Sequence, residues 1–297
     1  MKVFVTGASG FIGTAIVKEL LQAGHQVLGL ARSDESTAKL QAAGVEVHRG
    51  DLQDLDSLRS GAAASDGVIH AGFVHDFSRF KEVCEIDRIA IETIGEVLAG
   101  SGRPFIVTSG TALVKPGALA TEDMESNHDT SKFPRVSEGA GLAFTGKGVR
   151  AMAIRLSPSV HGEGDHHGFV PMLIGLARQK GVSAYIGDGQ NRWNAVHRLD
   201  AAHLYRLALE SGAAGSIYHA VGDQEITLKT IAEAIGSHLG IPVVSISPDE
   251  APAHFGWFVN FASIDCPASS KLTQEELNWH PAHPSLAADL AGDIYFK

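Results

Sequence analysis

Lys2-Val-Phe-Val-Thr6-Gly7-Ala8-Ser9-Gly10-Phe11-Ile12-Gly13 opens the chain, and its reading decides the fold. Residues 2–6 are a short apolar run of the kind a buried strand carries. Residues 11–23 place apolar side chains at helical spacing until Gly24 stops them. Between the two, glycines recur at positions 7, 10 and 13. A glycine at 7 permits a sharp strand-to-helix turn, and one at 10 lets a phosphate reach the backbone at the positive helix end. One at 13 lets helix and strand pack closely. Three glycines in this phase exceed what a plain turn needs, so the stretch reads as a dinucleotide-binding turn.

The same alternation continues outward. Residues 26–30, 45–48, 67–71, 104–108 and 149–155 read as strands; residues 34–43, 54–59, 79–98 and 137–146 read as helices. Short apolar strands alternating with amphipathic helices imply βαβ units, a parallel sheet buried on both faces, and a doubly wound α/β Rossmann topology. After residue 157 the rhythm changes to Gly-, His- and Pro-rich stretches, with helices near 170–180, 200–211 and 228–239 and a strand near 216–221. The expected division is a dinucleotide-binding domain over residues 1–157, to which 194–212 return, and a smaller substrate-binding lobe over 158–297.

Composition narrows the function. The 297 residues are 44% hydrophobic and 20% charged, which excludes a disordered chain. Lys plus Arg is 24 against 34 for Asp plus Glu, a net charge of −10. That balance argues against nucleic acid or an anionic membrane as the main partner and leaves a small molecule. Cys84 and Cys266 are too few for a disulfide framework and fit a reducing cytoplasm. No apolar run reaches the roughly 18 residues of a membrane span.

At the end of the second strand, NAD-binding folds usually carry an acidic residue for the ribose hydroxyls. Here the sequence is Leu30-Ala31-Arg32-Ser33. Arg32 can pair with a 2′-phosphate and Ser33 can hydrogen-bond it, so NADP(H) is preferred over NAD(H); Asp34 keeps NAD open.

These residues resemble the short-chain dehydrogenase/reductase superfamily, in its extended and atypical branch of NAD-dependent epimerase/dehydratase-like proteins. The resemblance covers nearly the whole chain. It implies cofactor contacts from Thr6, Gly7, Ser9, Gly10, Phe11, Ile12 and Gly13 in the turn. Gly50-Asp51-Leu52 is similar to the adenine-side motif, with Asp51 near the amino group and Leu52 along the ring. His70-Ala71-Gly72-Phe73 resembles the loop beside the cofactor ribose. Arg155-Leu-Ser-Pro-Ser-Val-His-Gly162 resembles the segment at the nicotinamide, which implies contacts from Leu156, Pro158, Ser159 and Val160. Ala195-Val-His-Arg-Leu-Asp200 and the ending Ser269-Ser-Lys-Leu272 with Leu277-Asn-Trp-His-Pro281 match further stretches of the pattern. Pairing of long helices in such proteins makes residues 79–98 a possible homodimer face. Asp200 reads as a cap of the helix that follows it and Trp279 as packing.

The chain departs from the pattern where the chemistry belongs. The resemblance implies a Tyr that exchanges a proton with substrate and a Lys four residues on, but Tyr185, Tyr205, Tyr218 and Tyr295 all fall elsewhere. One register offers His128 and Lys132 instead; a second, aligned on Glu138, puts Thr130 and Pro134 there. The serine position falls on Gly110, flanked by Ser109 and Thr111, and either hydroxyl is a substitute. Asp87 stands where an Asn is common. His161-Gly-Glu-Gly-Asp165-His166-His167 lacks a helical scaffold for ligands, so no metal site is assigned; His166 or His167 is an alternative proton source. Arg192 either meets substrate or sits beside a packed Trp193. No G-x-S-x-G nucleophile elbow occurs. The leading expectation is an NADP(H)-dependent oxidoreductase acting on a small carbonyl or alcohol. A non-catalytic NADP-binding sensor and a sugar-nucleotide epimerase or dehydratase remain as alternatives.

Overall fold

Successive side chains of a strand point to opposite faces, so an apolar run with no polar alternation demands cover on both sides. The computed structural model, which describes residues 1–126 and 134–296, shows that arrangement. Strands β1 (Lys2–Thr6), β2 (Gln26–Ala31), β3 (Glu46–Arg49), β4 (Gly67–His70), β5 (Pro104–Gly110) and β6 (Arg150–Leu156) form a parallel sheet with β10 (Ile217–Ala220). Its order is β3-β2-β1-β4-β5-β6-β10. The order reverses at β1 and β4, and the crevice beyond their carboxyl ends is where doubly wound sheets bind ligands.

Helices α1 (Phe11–Gln22), α2 (Asp34–Ala42) and α7 (Arg198–Ser211) cover one face. There Val3, Val5, Ile69, Ile106, Met152 and Ile154 meet Ile16, Leu20, Leu204 and Leu209. Helices α3 (Leu55–Ala63), α4 (Phe80–Leu98) and α5 (Ser137–Leu142) cover the other, where Phe4, Val68, Phe105 and Val107 meet Leu58, Ile91 and Ile94. Each such fully buried side chain contributes about 1.5–3 kcal/mol. The outward row of α4 is charged, with Arg88 paired to Glu85 and Glu92.

The lobe is more regular than its sequence suggests. After β7 (Ser159–His161) come α6 (Phe169–Lys180), β8 (Ser183–Ile186) and β9 (Arg192–His197). Beyond β10 follow β11 (Asp223–Thr227), α8 (Leu228–Leu239), β12 (Val243–Ile246), α9 (Ala251–Phe255), α10 (Val259–Ser263), α11 (Lys271–Leu277) and α12 (Leu286–Ala291). Strands β11, β9 and β7 make one small sheet, and β12 pairs with β8 in another. Trp193, fully buried, anchors their core with Phe255 and Phe258. The strand expected near 216–221 lies in the large sheet beside β6, although the division at residue 157 counts it with the lobe. Tyr218 and Ala220 supply the reason, since both bury into the α1/α7 face of the large core. No helix among the described residues is long and apolar enough to cross a membrane.

Candidate functional site

The glycine-rich turn leaves β1 with Gly7 at φ +70°, a left-handed conformation in which a side chain would also strike the Gly72 backbone at 2.7 Å. A Cβ on Gly13 would lie 1.9 Å from the Gly7 carbonyl oxygen, so only glycine lets α1 pack onto the turn. Gly10 differs: a Cβ there would meet one atom, the Gly7 oxygen, at 3.2 Å. Gly10 is also the N-cap of α1, with no side-chain cap and no acidic residue in the first turn. The amides that open α1 are thus left to whatever occupies the space in front of them, with the helix dipole favouring an anion.

That space is a cleft of about 440 Å³ along the carboxyl ends of β1, β2, β3 and β4. Of the predicted cofactor residues, Gly7, Ser9, Gly10, Arg32, Ser33, Asp51, Leu52, Ala71, Gly72 and Phe73 line it. Thr6 lies behind the wall, where its Oγ1 accepts the Gly72 N–H at 3.1 Å. Ile12 packs into the core and Phe11 sits beneath Arg198. Leu156 ends β6; Ser159 and Val160 belong to β7, paired with Ala195 and Val196. The structure therefore puts Leu156, Pro158, Ser159 and Val160 beyond the cleft wall just described.

The polar groups at the far end are partly committed. Ser33 caps α2 and exchanges hydrogen bonds with Ser36 in a capping box. Arg32 is mostly exposed and its Nε stands 3.7 Å from an Asp51 oxygen. Lys39 was not anticipated: it lines the cleft from α2 and donates to the Ser9 carbonyl at 3.1 Å. The signal was its helical phase, since Glu35, Ser36 and Lys39 share one face of α2. Arg198, also missed, stacks 4.6 Å from the Phe11 ring and donates to Thr14 Oγ1 at 2.9 Å, adding positive charge beside the first turn of α1.

Of the predicted catalytic groups, His128 and Lys132 lie outside the described residues. Thr111 is buried and its hydroxyl donates to Asn194 Oδ1 at 3.0 Å, which ties the turn after β5 to β9. Ser109 is buried in β5, because that strand runs two residues beyond its expected end; alternation puts it on the face of Phe105 and Val107. The four tyrosines are placed elsewhere. Tyr205 pairs with Thr108, Tyr218 with Glu276, Tyr295 with Asp165, and Tyr185 lies beneath Lys229. Burial raises the phenols of Tyr205, Tyr218 and Tyr295.

Under the inner end of the cleft runs a buried polar chain that sequence reading did not find. Arg135 Nε donates to Ser137 Oγ at 3.0 Å, and Ser137 donates to Asp87 Oδ2 at 2.5 Å. Asp87 Oδ1 is 3.1 Å from His70 Nε2, and His70 Nδ1 is 2.9 Å from Thr6 Oγ1. Burial pushes the Asp87 carboxyl up, but His70, Arg135 and Ser137 outweigh it and hold the group below its ordinary value. His75, on the cleft wall, is lowered by burial and by the charge of Arg135.

The other expected features resolve differently. Arg192 is held by Asp265 and Glu225, and Trp193 is packed. His161 pairs with Asp289 at 2.6 Å, Asp165 accepts from the Gly168 amide, and His166 and His167 are exposed. Asp200 does not cap α7, whose N-cap is His197. Its oxygens accept from the Ala282 and His283 amides and pair with His283 Nδ1 at 2.7 Å, which fastens the segment after Trp279 to α7. His197, Asp200 and His283 bring ligand-type atoms within 4.8 Å of one another, and the Asp200 bonds account for that proximity.

Comparisons with known proteins agree with this geometry. A model of the NAD dependent epimerase/dehydratase family matches residues 3–221. The chain is 55% identical, over the full length of both, to an uncharacterized protein of Schizosaccharomyces pombe. It is 27% identical to the 2-alkyl-3-oxoalkanoate reductase of Stenotrophomonas maltophilia, over 82% of this chain and 77% of that one. Among solved structures, a dTDP-glucose 4,6-dehydratase of Streptomyces venezuelae with NAD bound superposes with a TM-score of 0.77. That match has 21% identity and covers 99% of this chain and 96% of that one. With a family match across most of the chain and the turn, sheet order and cleft in place, the protein belongs to the NAD dependent epimerase/dehydratase family.

Proposed function

We propose that the protein is an NAD(P)H-dependent oxidoreductase acting on a carbonyl or alcohol of a small molecule. The observation that carries this reading is the uncapped N-terminus of α1 opening into the cleft at the sheet's switch point. A nicotinamide dinucleotide fits the residues present: Gly10 leaves room for a diphosphate at the amides of Phe11 and Ile12, and Asp51 and Leu52, which line the cleft, would flank the adenine. Ala71, Gly72 and Phe73 would border the nicotinamide half, with Leu156, Pro158, Ser159 and Val160 beyond it. When bound, the cofactor supplies the hydride chemistry. The protein orients, excludes water and places hydrogen-bond donors at the substrate oxygen.

NADP(H) is the preferred form in this reading. Arg32 and Lys39 put two cations at the far end of the cleft, and no carboxylate occupies the end of β2. Ser109 remains the hydroxyl assigned to polarise a carbonyl oxygen, because Thr111 spends its hydrogen on Asn194. The substrate named for the Stenotrophomonas relative, a 3-oxo acid, supports a ketone as hydride acceptor. The absence of a tyrosine from the cleft wall among the described residues favours a second reading, a nucleotide-binding sensor without turnover.

Fluorescence titration with NADPH and NADH, followed by a panel of aldehydes and ketones, separates the two. Tight NADPH binding with carbonyl-dependent oxidation is expected for the reductase. Binding without consumption on any carbonyl marks the sensor, and no binding of either nucleotide at millimolar concentration ends both.

A further inference from the structure

Arg135 is half-buried, yet it makes no ion pair within 4.0 Å with any carboxylate among the described residues. Guanidinium groups withdrawn from water are ordinarily paired, because an unpaired charge there loses hydration without return. The group is also fixed. Nε donates to Ser137 Oγ at 3.0 Å, Nη2 donates to the Thr108 carbonyl at 3.0 Å, and the fork lies 4.4 Å from the centre of the Phe73 ring. Phe73 and its neighbour His75 line the cleft, so the cation stands at the inner end of that wall. The two tethers use Nε and Nη2, and Nη1 has no hydrogen bond among the described residues. Asp87, the nearest acid in this network, is reached only through Ser137 and spends its other oxygen on His70.

A planar cation held rigid by backbone and side chain, set over an aromatic wall and without a direct carboxylate partner among the described residues, is built to receive an oxyanion. We propose that Arg135 binds a carboxylate of the substrate, so that the molecule reduced or oxidised here is a carbonyl or hydroxy acid. The proposal rests on the nicotinamide-dependent reading above and deepens it by naming the substrate class. It gives Arg135 a binding role and leaves the source of the transferred proton open. Its field reaches neighbouring groups in the expected sense: the Cys84 thiol and His75 are both pushed down by it, although burial dominates at Cys84 and leaves that thiol raised overall.

The test uses the full chain loaded with NADP⁺, which binds substrate without turnover. Acetoacetate and its methyl ester, which differ in the carboxylate charge, are titrated calorimetrically into the parent protein, Arg135→Gln and Arg135→Lys. Acetoacetate is expected to bind the parent at least about tenfold more tightly than the ester, as a charge-assisted hydrogen bond allows. Arg135→Gln removes that preference and Arg135→Lys keeps part of it, while NADP⁺ affinity stays within about threefold. Equal binding of acid and ester by the parent, binding of neither, or a preference that survives in Arg135→Gln overturns the proposal. Should Arg135→Gln fail to fold, the parent and Arg135→Lys comparisons decide. A protein that binds no nucleotide refutes the reductase reading, and the same acid-against-ester titration on the nucleotide-free chain still decides the role of Arg135.

Discussion

His70 Nε2 lies 3.1 Å from Asp87 Oδ1, with both side chains buried between β4 and α4. Through its other nitrogen His70 meets Thr6 Oγ1, which accepts the amide of Gly72 on the cleft wall. Asp87 therefore reaches the cofactor cleft without touching it, by fixing the loop after β4. Removing it leaves His70 and Ser137 facing an empty buried site. Asp87→Ala is expected to cost about 3–5 kcal/mol in urea unfolding, with Asp87→Asn well below that because the amide still bonds. Loss of less than about 1 kcal/mol for Asp87→Ala would show that the chain is not holding the fold. The carboxyl is lowered below its ordinary 3.8 in the folded state. Its stabilisation is thus complete above that value and disappears as pH falls through the folded pKa.

Gly10 and Gly13 look alike in sequence and should behave in opposite ways. Gly13→Ala drives a methyl to 1.9 Å from the Gly7 oxygen, backbone against backbone, so α1 must move off the turn. A loss of about 1–3 kcal/mol or more in unfolding free energy is expected, together with loss of nucleotide binding. Gly10→Ala meets only the Gly7 oxygen, at 3.2 Å, and should leave the melting temperature nearly unchanged. Its methyl enters the space in front of the α1 amides, and NADPH affinity should fall about tenfold or more as a diphosphate is kept from them. Wild-type affinity in Gly10→Ala would remove the diphosphate from that position.

What sequence made legible, and what it hid, follows from the range of the interactions. The turn from Gly7 to Gly13 is local: strand, helix and glycine phase lie within a dozen residues, so its conformation and cleft position could be read directly. The sheet's inner strands β1, β2, β4 and β5 were visible because burial on both faces makes them largely apolar. Short strands β8 and β12 gave no such signal. β12 is half-exposed, and the two pair across about sixty residues, Ser183 with Val243, which no local pattern reports. The same holds for Arg135, Ser137, Asp87, His70 and Thr6, ordinary polar residues that become a chain only when four elements converge. Asp200 could be read as a cap because it sits in a first turn. Its partners Ala282 and His283 come from the far end of the chain.

Arg32 and Lys39 carry the cofactor preference. Arg32 shares its charge with Asp51 at 3.7 Å and is largely exposed, whereas Lys39 is anchored on the Ser9 carbonyl. Arg32→Ala is expected to weaken NADPH about tenfold and NADH less than about twofold, since only the former carries a 2′-phosphate. Lys39→Met should act in the same direction with a smaller effect. Both effects should shrink as salt rises from 0.05 to 0.5 M on the scale of ordinary screening, roughly a Debye length of 10 Å at 0.1 M. Equal losses for the two nucleotides in Arg32→Ala would reassign Arg32 to general anchoring.

His219 gives the fold a pH dependence in the acid range. Its Nδ1–H donates to the Ser269 carbonyl at 2.8 Å, and Nε2 accepts from Arg155 Nη1 at 3.1 Å. The one nitrogen able to take a proton therefore faces a guanidinium that is itself locked to Glu138. Burial first, and Arg155 second, push His219 from 6.5 down to about 4. The unfolded chain binds a proton below the upper value and the folded chain only below the lower one. In that window the unfolded state holds more protons, so stability rises with pH. One such site contributes about 1.4 kcal/mol per pH unit, about 3 kcal/mol across the interval. His75 and His197 are lowered as well and add slope of the same sign, so the comparison must be made against the parent at each pH. Urea unfolding of His219→Gln between pH 4 and 7 should show a slope smaller by about one proton, with most of the relative gain at the acid end. An unchanged slope would mean that His219 is protonated in the folded protein and that its bond to Arg155 is not formed.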